Sequence, residues 1–296
     1  MPELPDITVY AESLDAKVRD DTLNRVRIGS PFLLRTAVPP ITSAHGCKVI
    51  GIERLGKRVV IVLEGELFLV IHLMIAGRLH WHAAGGRRQA KTALATFEFN
   101  GGTLALTEAG TQRRASLHVV SGRDALKAMD PGGIDVMHCS AAEFVAQLAA
   151  ENHTLKRSLT NPQLFSGIGN AYSDEILHRA RMSPVTLTRS VDATAAQRLL
   201  DATRAVLSEW TERLRDAAST HAGWPPRVTA FHPQMAVHGR YGQPCPACGS
   251  KVQRIVHANN ETNYCARCQT AGKLLADRAL SKLLHASWPK HIDDLE

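Results

Sequence analysis

Residues 245–268 read CPACGSKVQRIVHANNETNYCARC, two Cys-x2-Cys knuckles with sixteen residues between them. Each knuckle offers two sulfurs from one tight turn, and four thiolates make a closed tetrahedral Zn²⁺ site. Cys245, Cys248, Cys265 and Cys268 are therefore the expected ligands of one structural zinc. No ligand position is left open for chemistry, and metal binding becomes folding energy for a segment too small to build its own core. A β-hairpin is expected between the knuckles, KVQRIVH and ETNYCARC turning across Ala258-Asn259-Asn260. The other two cysteines, Cys47 and Cys139, stand alone.

Around this cluster the chain is basic. From Met235 to Lys290 eight Lys/Arg face only Glu261 and Asp277, a net +6, against +7 for all 296 residues. A compact basic end points to a polyanion, nucleic acid first. The last residues are acidic. No apolar run is long enough for a membrane span, because Glu64, Gly65 and Glu66 interrupt the longest one. The start lacks signal-peptide order, so a cytoplasmic, nucleoid-associated protein is expected, with no membrane partner.

Toward the N-terminus the pattern is β. RVVIVLEG and ELFLVIHLMIAGRL are apolar runs separated by a Glu-Gly turn, and ATFEFNGGTLALTE alternates around Asn100-Gly101-Gly102 as a hairpin. A helix is expected over ITVYAESLDAKVRD. These predict a β-sandwich or barrel. After the turn-rich Asp130-Pro131-Gly132-Gly133 helices dominate: SAAEFVAQLAAE with a Ser140/Glu143 capping box, IGNAYSDEILHRAR, and a long helix capped by Asp192. A Gly- and Pro-bearing loop, THAGWPPRVTAFHPQ, precedes the cysteines, and ADRALSKLLHAS reads as a short helix. Gly167, Gly169 and Asn170 sit at a helix start, where free N–H groups and the helix dipole favour a phosphate.

Five segments, PELPD at 2–6, LGKRVVIVL at 55–63, HLMIAGRL at 72–79, FSGIGNAYSDEIL at 165–177, and HGRYGQPCPACG to YCARCQ at 238–269, together resemble the formamidopyrimidine-DNA glycosylase and endonuclease VIII family. The resemblance covers nearly the whole chain in one order. It implies an α+β multidomain protein: a β-sandwich over 1–133, a helix–two-turn–helix domain over 134–234, a zinc ribbon over 235–290 and an acidic tail over 291–296. It also implies a bifunctional glycosylase and abasic-site lyase, acting as a monomer on damaged double-stranded DNA.

By that resemblance Pro2, exposed once Met1 is removed, is the nucleophile. An α-amino group has a pKa near 7.7–8.0, so roughly a tenth is neutral at pH 7, against well under a thousandth of a lysine. Glu3 is the expected proton shuttle, and Lys57 the expected phosphate contact beside the reaction. His72, Asn170 and Arg113 match phosphate- and opposite-base-contacting positions. Four positions depart from the family pattern. Ile75 stands where a void-filling methionine is usual, and Ala115 where a phenylalanine is. Asn260 replaces the ribbon arginine, which leaves Arg254, His257 or Lys251 as the candidate ribbon contacts. Asp6 replaces a glutamate expected near the damaged base. The alternative, motivated by Asn260 and Ala115, is a non-catalytic binder of damaged DNA on the same scaffold.

Overall fold

The computed structural model describes residues 1–85, 93–109, 113–226, 228, 231–257, 260–276 and 289–295, with the His257 side chain excepted. The chain divides into two compact units, 1–131 with 210–229, and 132–209 with 230–296.

The first unit begins with helix α1 (Leu4–Val18). It starts three residues earlier than its apolar periodicity predicts, because Pro5 fits the first turn and Glu3 and Asp6 form a capping box. Ile7, Tyr10, Leu14 and Val18 recur at helical spacing and are buried on one face. Eight strands follow: β1 (Thr22–Ile28), β2 (Cys47–Leu55), β3 (Arg58–Leu63), β4 (Leu67–His72), β5 (Gly77–Ala83), β6 (Ala95–Phe99), β7 (Gly102–Glu108) and β8 (Ser116–Ser121). They run in the order β5-β7-β6-β1-β2-β3-β4-β8. The β1–β2 joint has only two residue pairs, Thr22 with Lys48 and Leu23 with Cys47. There the sheet folds into two four-stranded halves that share one core, with Leu23, Phe97, Leu104 and Leu106 of one half meeting Val59, Ile61, Leu69, Ile71 and Leu117 of the other. This is the sandwich.

ELFLVIHLMIAGRL is not one strand. It breaks after His72 into a turn, with Met74 at φ +51°, and resumes at Gly77. A Cβ on Gly77 would lie 2.3 Å from the Leu73 carbonyl oxygen, so only glycine closes the turn. The opposite face of β3 and β4 is also apolar, which explains the unbroken hydrophobic runs. Val60, Val62, Phe68 and Val70 pack under Leu126 of α2 (Arg123–Lys127) and under Met129.

The second unit is helical, with α3 (Ala141–Ala149), α4 (Leu155–Thr160) and α5 (Asn170–Arg179). The Ser140/Glu143 capping box is present, and Asp192 accepts the Ala195 N–H at 2.7 Å ahead of α6 (Ala193–Ser219). The unit boundary falls inside α6. Its last turns belong to the first unit, where Arg215 forks onto Glu12 at 2.6 and 2.8 Å.

The ribbon hairpin is β9 (Gln253–His257) and β10 (Asn260–Tyr264), followed by α7 (Ala266–Thr270). Asn260 is not in the turn, as the sequence suggested, but pairs with His257 as the first residue of β10. The terminal residues read as an acidic tail are docked. Ile292 is fully buried beside Tyr264, and Asp293 pairs with Arg267 at 2.6 Å. The short helix expected at ADRALSKLLHAS lies outside the described residues, apart from Ala276. No described helix is long and apolar enough to cross a membrane.

Candidate active site

Folding α1 against the sandwich buries Pro2 and leaves Glu3 only 1 % exposed. Lys57 occupies the two-residue turn between β2 and β3, which Gly56 makes possible at φ +58°. Burial lowers the pKa of the Lys57 ammonium, and the Glu3 carboxylate opposes that shift. Burial likewise pushes the Met1 amino group below its usual value. Glu3 opposes the shift most, Arg78 reinforces it, and Asp6 and Lys57 act more weakly in opposite senses. The structure thus brings Pro2, Glu3 and Lys57 to one place and adds Arg78, which sequence reading missed. Asp6 is fully buried, and its Oδ2 accepts the Glu3 N–H at 2.9 Å. It caps α1.

Beside this cluster lies a cavity of about 460 Å³, within the range of small-molecule sites. Arg78 lines it as well as acting on the N-terminal amine. Its walls are aromatic: Tyr10 and Trp224 have ring centroids 5.6 Å apart, and Trp81 and Trp224 6.4 Å. The Tyr10 hydroxyl and the Trp224 indole N–H both donate to the Leu79 carbonyl, at 3.4 and 3.3 Å. These bonds tie the Gly- and Pro-bearing loop to the start of β5. His80, His82 and His221 complete the polar lining. Such rings offer flat apolar faces with donors at their edges, a setting suited to a planar heterocycle.

His72 ends β4, with Arg58 and Ser116 as its cross-strand partners. Burial pushes its pKa down to about 4, with Arg58, Lys57 and His118 adding to the shift, so it is neutral at pH 7. Arg113 is exposed, adjoining residues 110–112, which lie outside the described set. Ile75 is 59 % exposed at the tip of the β4–β5 turn, the projecting apolar group of that turn. Ala115 is buried in the core, and its N–H donates to the Glu108 carboxylate. It projects nothing.

In the second unit Asn170 opens α5, but its amide is already engaged. Nδ2 donates to the Glu261 carbonyl of β10 at 2.9 Å. Beneath it lies a buried charge network. Asp174 accepts from Lys156 Nζ at 2.5 Å, shares a 2.7 Å bond with His238 Nδ1, and accepts the Asn263 N–H at 3.2 Å. Lys156 also donates to the Asn170 carbonyl at 2.6 Å. Glu175 accepts three successive N–H groups, of Ala236, Val237 and His238, at 2.7–2.9 Å. The network locks α5 to the ribbon and to the segment entering it.

Breaking a buried pair strands the remaining charge at a cost of about 3–5 kcal/mol. Asp174→Ala is expected to lose that much in denaturant unfolding of the full chain, and a loss under about 1 kcal/mol would contradict the network. Arg254 stacks over Tyr241 with its guanidinium carbon 4.2 Å from the ring centroid, and pairs with Glu261 at 3.2 Å. The His257 side chain lies outside the described residues.

The four ribbon cysteines place their sulfurs within 4.8 Å of one another. Cys245 and Cys268 are 3.9 Å apart, and Cys248 and Cys265 3.4 Å. Tetrahedral zinc with bonds near 2.3 Å requires about 3.8 Å between sulfurs, so the cluster fits the metal. The His178 ring lies 3.3 Å from the Cys245 sulfur and steadies that ligand from outside the coordination shell. The cysteines hold one structural zinc.

Three family models match in chain order. The formamidopyrimidine-DNA glycosylase N-terminal domain covers residues 1–115, the H2TH domain of the same enzymes 130–221, and the zinc finger found in FPG and IleRS 242–271. The chain is 30 % identical over 278 residues to formamidopyrimidine-DNA glycosylase of Heliobacterium modesticaldum, covering 91 % of this chain and all of that one. Against the enzyme of Thermus thermophilus it is 32 % identical over 281 residues, with 92 % and 100 % covered. The solved MutM (Fpg) protein of Thermus thermophilus superposes with a TM-score of 0.75 at 30 % identity, over 90 % of this chain and 98 % of that one. A Lactococcus lactis Fpg solved with abasic-site DNA shares the fold at 22 % identity, with a TM-score of 0.79 over 90 % and 99 % of the chains. The fold, the zinc centre and these matches together define a DNA glycosylase of base-excision repair. The chain belongs to the formamidopyrimidine-DNA glycosylase family.

Proposed function

We propose that this chain excises a damaged base from double-stranded DNA and then nicks the strand as an abasic-site lyase, with Pro2 as nucleophile. The observation that carries the reading is the buried N-terminal amine, held among Glu3, Lys57 and Arg78 beside a base-sized aromatic cavity. With Met1 removed, the Pro2 nitrogen is a secondary amine in the same surroundings. At this terminus burial, Arg78 and Lys57 work against a charged amine while Glu3 and Asp6 favour it, and the neutral amine is the form that attacks.

Attack at C1′ forms the N–C1′ bond and expels the base with the glycosidic electron pair. Glu3 supplies the proton needed when the sugar C1′–O4′ bond opens. The resulting iminium acidifies the C2′ hydrogens. Loss of one of these protons to a carboxylate or water then breaks the C3′–O3′ bond and releases the 3′ phosphate. Lys57 and His72 are the proposed anchors of the phosphates flanking that sugar, and Arg113 the contact to the opposite base. Asn170 acts through the α5–ribbon joint, with Arg254 and His257 as ribbon contacts. Ile75 is placed to occupy the gap left by the base.

The names of the relatives support a formamidopyrimidine as the lesion, and the proposed substrate class is an oxidised base of that kind. Asn260 carries no charge for a ribbon clamp, which favours a single β-elimination. It also keeps a non-catalytic binder as the second reading. The test is incubation with duplex carrying one oxidised base. Base release together with a nick is expected, and tight binding with neither would establish the binder.

A further inference from the structure

One sheet face carries cations that this chemistry does not use. In the half-sheet β3-β4-β8, Val59, Ile61, Leu69, Ile71, Leu117 and Val119 point into the core. The pleat therefore sends Arg58, His72, Ser116 and His118 to the opposite face. Arg58 faces His72, and His72 faces Ser116. His118 lies two residues further along β8.

Beyond β8 the segment 33–36 runs parallel to it. The Leu117 N–H donates to the Leu33 carbonyl and the Arg35 N–H to the Leu117 carbonyl, both at 2.9 Å, while Val119 N–H donates to Thr36 Oγ1 at 2.7 Å. This pairing brings the exposed Arg35 beside His118. The His118 Nδ1 atom is shielded from solvent and has no hydrogen-bond partner among the described residues. Among the described residues no partner fixes its tautomer, and Nε2, the ring nitrogen not shielded in this way, is the one that can meet a ligand oxygen. Burial lowers the pKa of His118, and Arg58 and Arg35 reinforce the shift. Among the described residues the charges that act on His118 are Arg58 and Arg35, and those on His72 are Arg58, Lys57 and His118. Among the described residues the Asp130 carboxylate acts on Arg58. Lys57 adjoins Arg58 at the catalytic end.

We propose that Arg35 and His118 extend the phosphate contacts of Lys57 and His72 into a track along this face, gripping the DNA backbone beyond the reacting nucleotide. The inference rests on the glycosylase reading above and adds two residues to it. Such contacts position DNA without reading its sequence. They change affinity and its salt dependence and leave the chemical step alone.

The test is a salt titration of binding to abasic-site duplex, with single-turnover rates at saturating DNA. Each neutralised phosphate contributes about 0.9 to the slope of log affinity against log salt. Arg35→Ala is expected to make the slope shallower by about one unit, and Arg35→Lys to restore it. His118→Val is expected to weaken binding about tenfold, one hydrogen bond to a charged oxygen, with the saturated rate unchanged. Arg27→Ala, which removes an equal charge from an ion pair with Glu98 on another strand, serves as the control and is expected to leave the slope unchanged. An unshifted slope in Arg35→Ala, an equal shift in Arg27→Ala, or wild-type affinity in His118→Val would overturn the track while the glycosylase reading stands. Failure of the wild-type protein to bind the duplex would overturn both.

Discussion

Glu3→Gln lowers single-turnover base release by about 10²–10⁴-fold, the usual worth of a positioned general acid–base group. The same variant still forms an adduct with DNA that already contains an abasic site. The asymmetry follows from the chemistry. A nucleotide that still carries its base has a closed sugar, and proton delivery from Glu3 to O4′ draws base release forward by opening that ring. An abasic sugar is already in equilibrium with its open aldehyde, and the amine adds to that without a proton shuttle at O4′. Glu3 is nearly fully buried at the head of α1, acting on both the terminal amine and Lys57. Gln keeps its volume and removes only its charge and acidity. Equal losses in base release and in adduct formation would mean that Glu3 organises the terminus rather than moving a proton.

Removing the zinc has the other large effect. Structural zinc contributes about 10–16 kcal/mol to folding in isolated ribbons. Both apolar clusters of the ribbon are small: Val237 and Val252 pack on Cys245 and Cys265 themselves, and Tyr264, Ala266, Leu274 and Ile292 form the other. Cys265→Ser, or prolonged chelation, is expected to bring bound metal below one equivalent per chain and to unfold 235–276. The Asn170–Glu261 bond and the Asp174–Asn263 bond would go with it. DNA affinity should then fall by at least about two orders of magnitude, several phosphate contacts being lost together. Retention of full affinity in metal-free protein would show that the ribbon is not part of the DNA-binding surface.

What the sequence disclosed and what it hid differ in physical kind. The cysteine spacing, the Ser140 capping box and the Asn100-Gly101 hairpin are local patterns, and each corresponds to an observed element. The turn at Leu73–Ala76 was hidden because both faces of β4 are buried and apolar residues continue past His72 into the turn, so the hydrophobic run does not stop where the strand does. β1, β2 and β8 carry mixed polar and apolar residues, and only pairing with neighbours makes them strands. At the candidate site, Pro2, Glu3 and Lys57 were legible through the family resemblance. Arg78, the Tyr10–Trp81–Trp224 cavity and the Arg35–His118 row were not, because their members lie up to more than a hundred residues apart. Asn170 was found, but its amide bond to Glu261 depends on where the hairpin docks.

The central claim is a covalent bond between the Pro2 nitrogen and C1′ of the damaged nucleotide. The direct measurement is borohydride trapping on abasic-site duplex, followed by digestion and mass spectrometry of the modified peptide. The account expects the deoxyribose mass on an N-terminal peptide that begins at Pro2. An adduct on Lys57 or another lysine, or an unmodified terminus still carrying Met1 in protein that nicks the DNA, would contradict it.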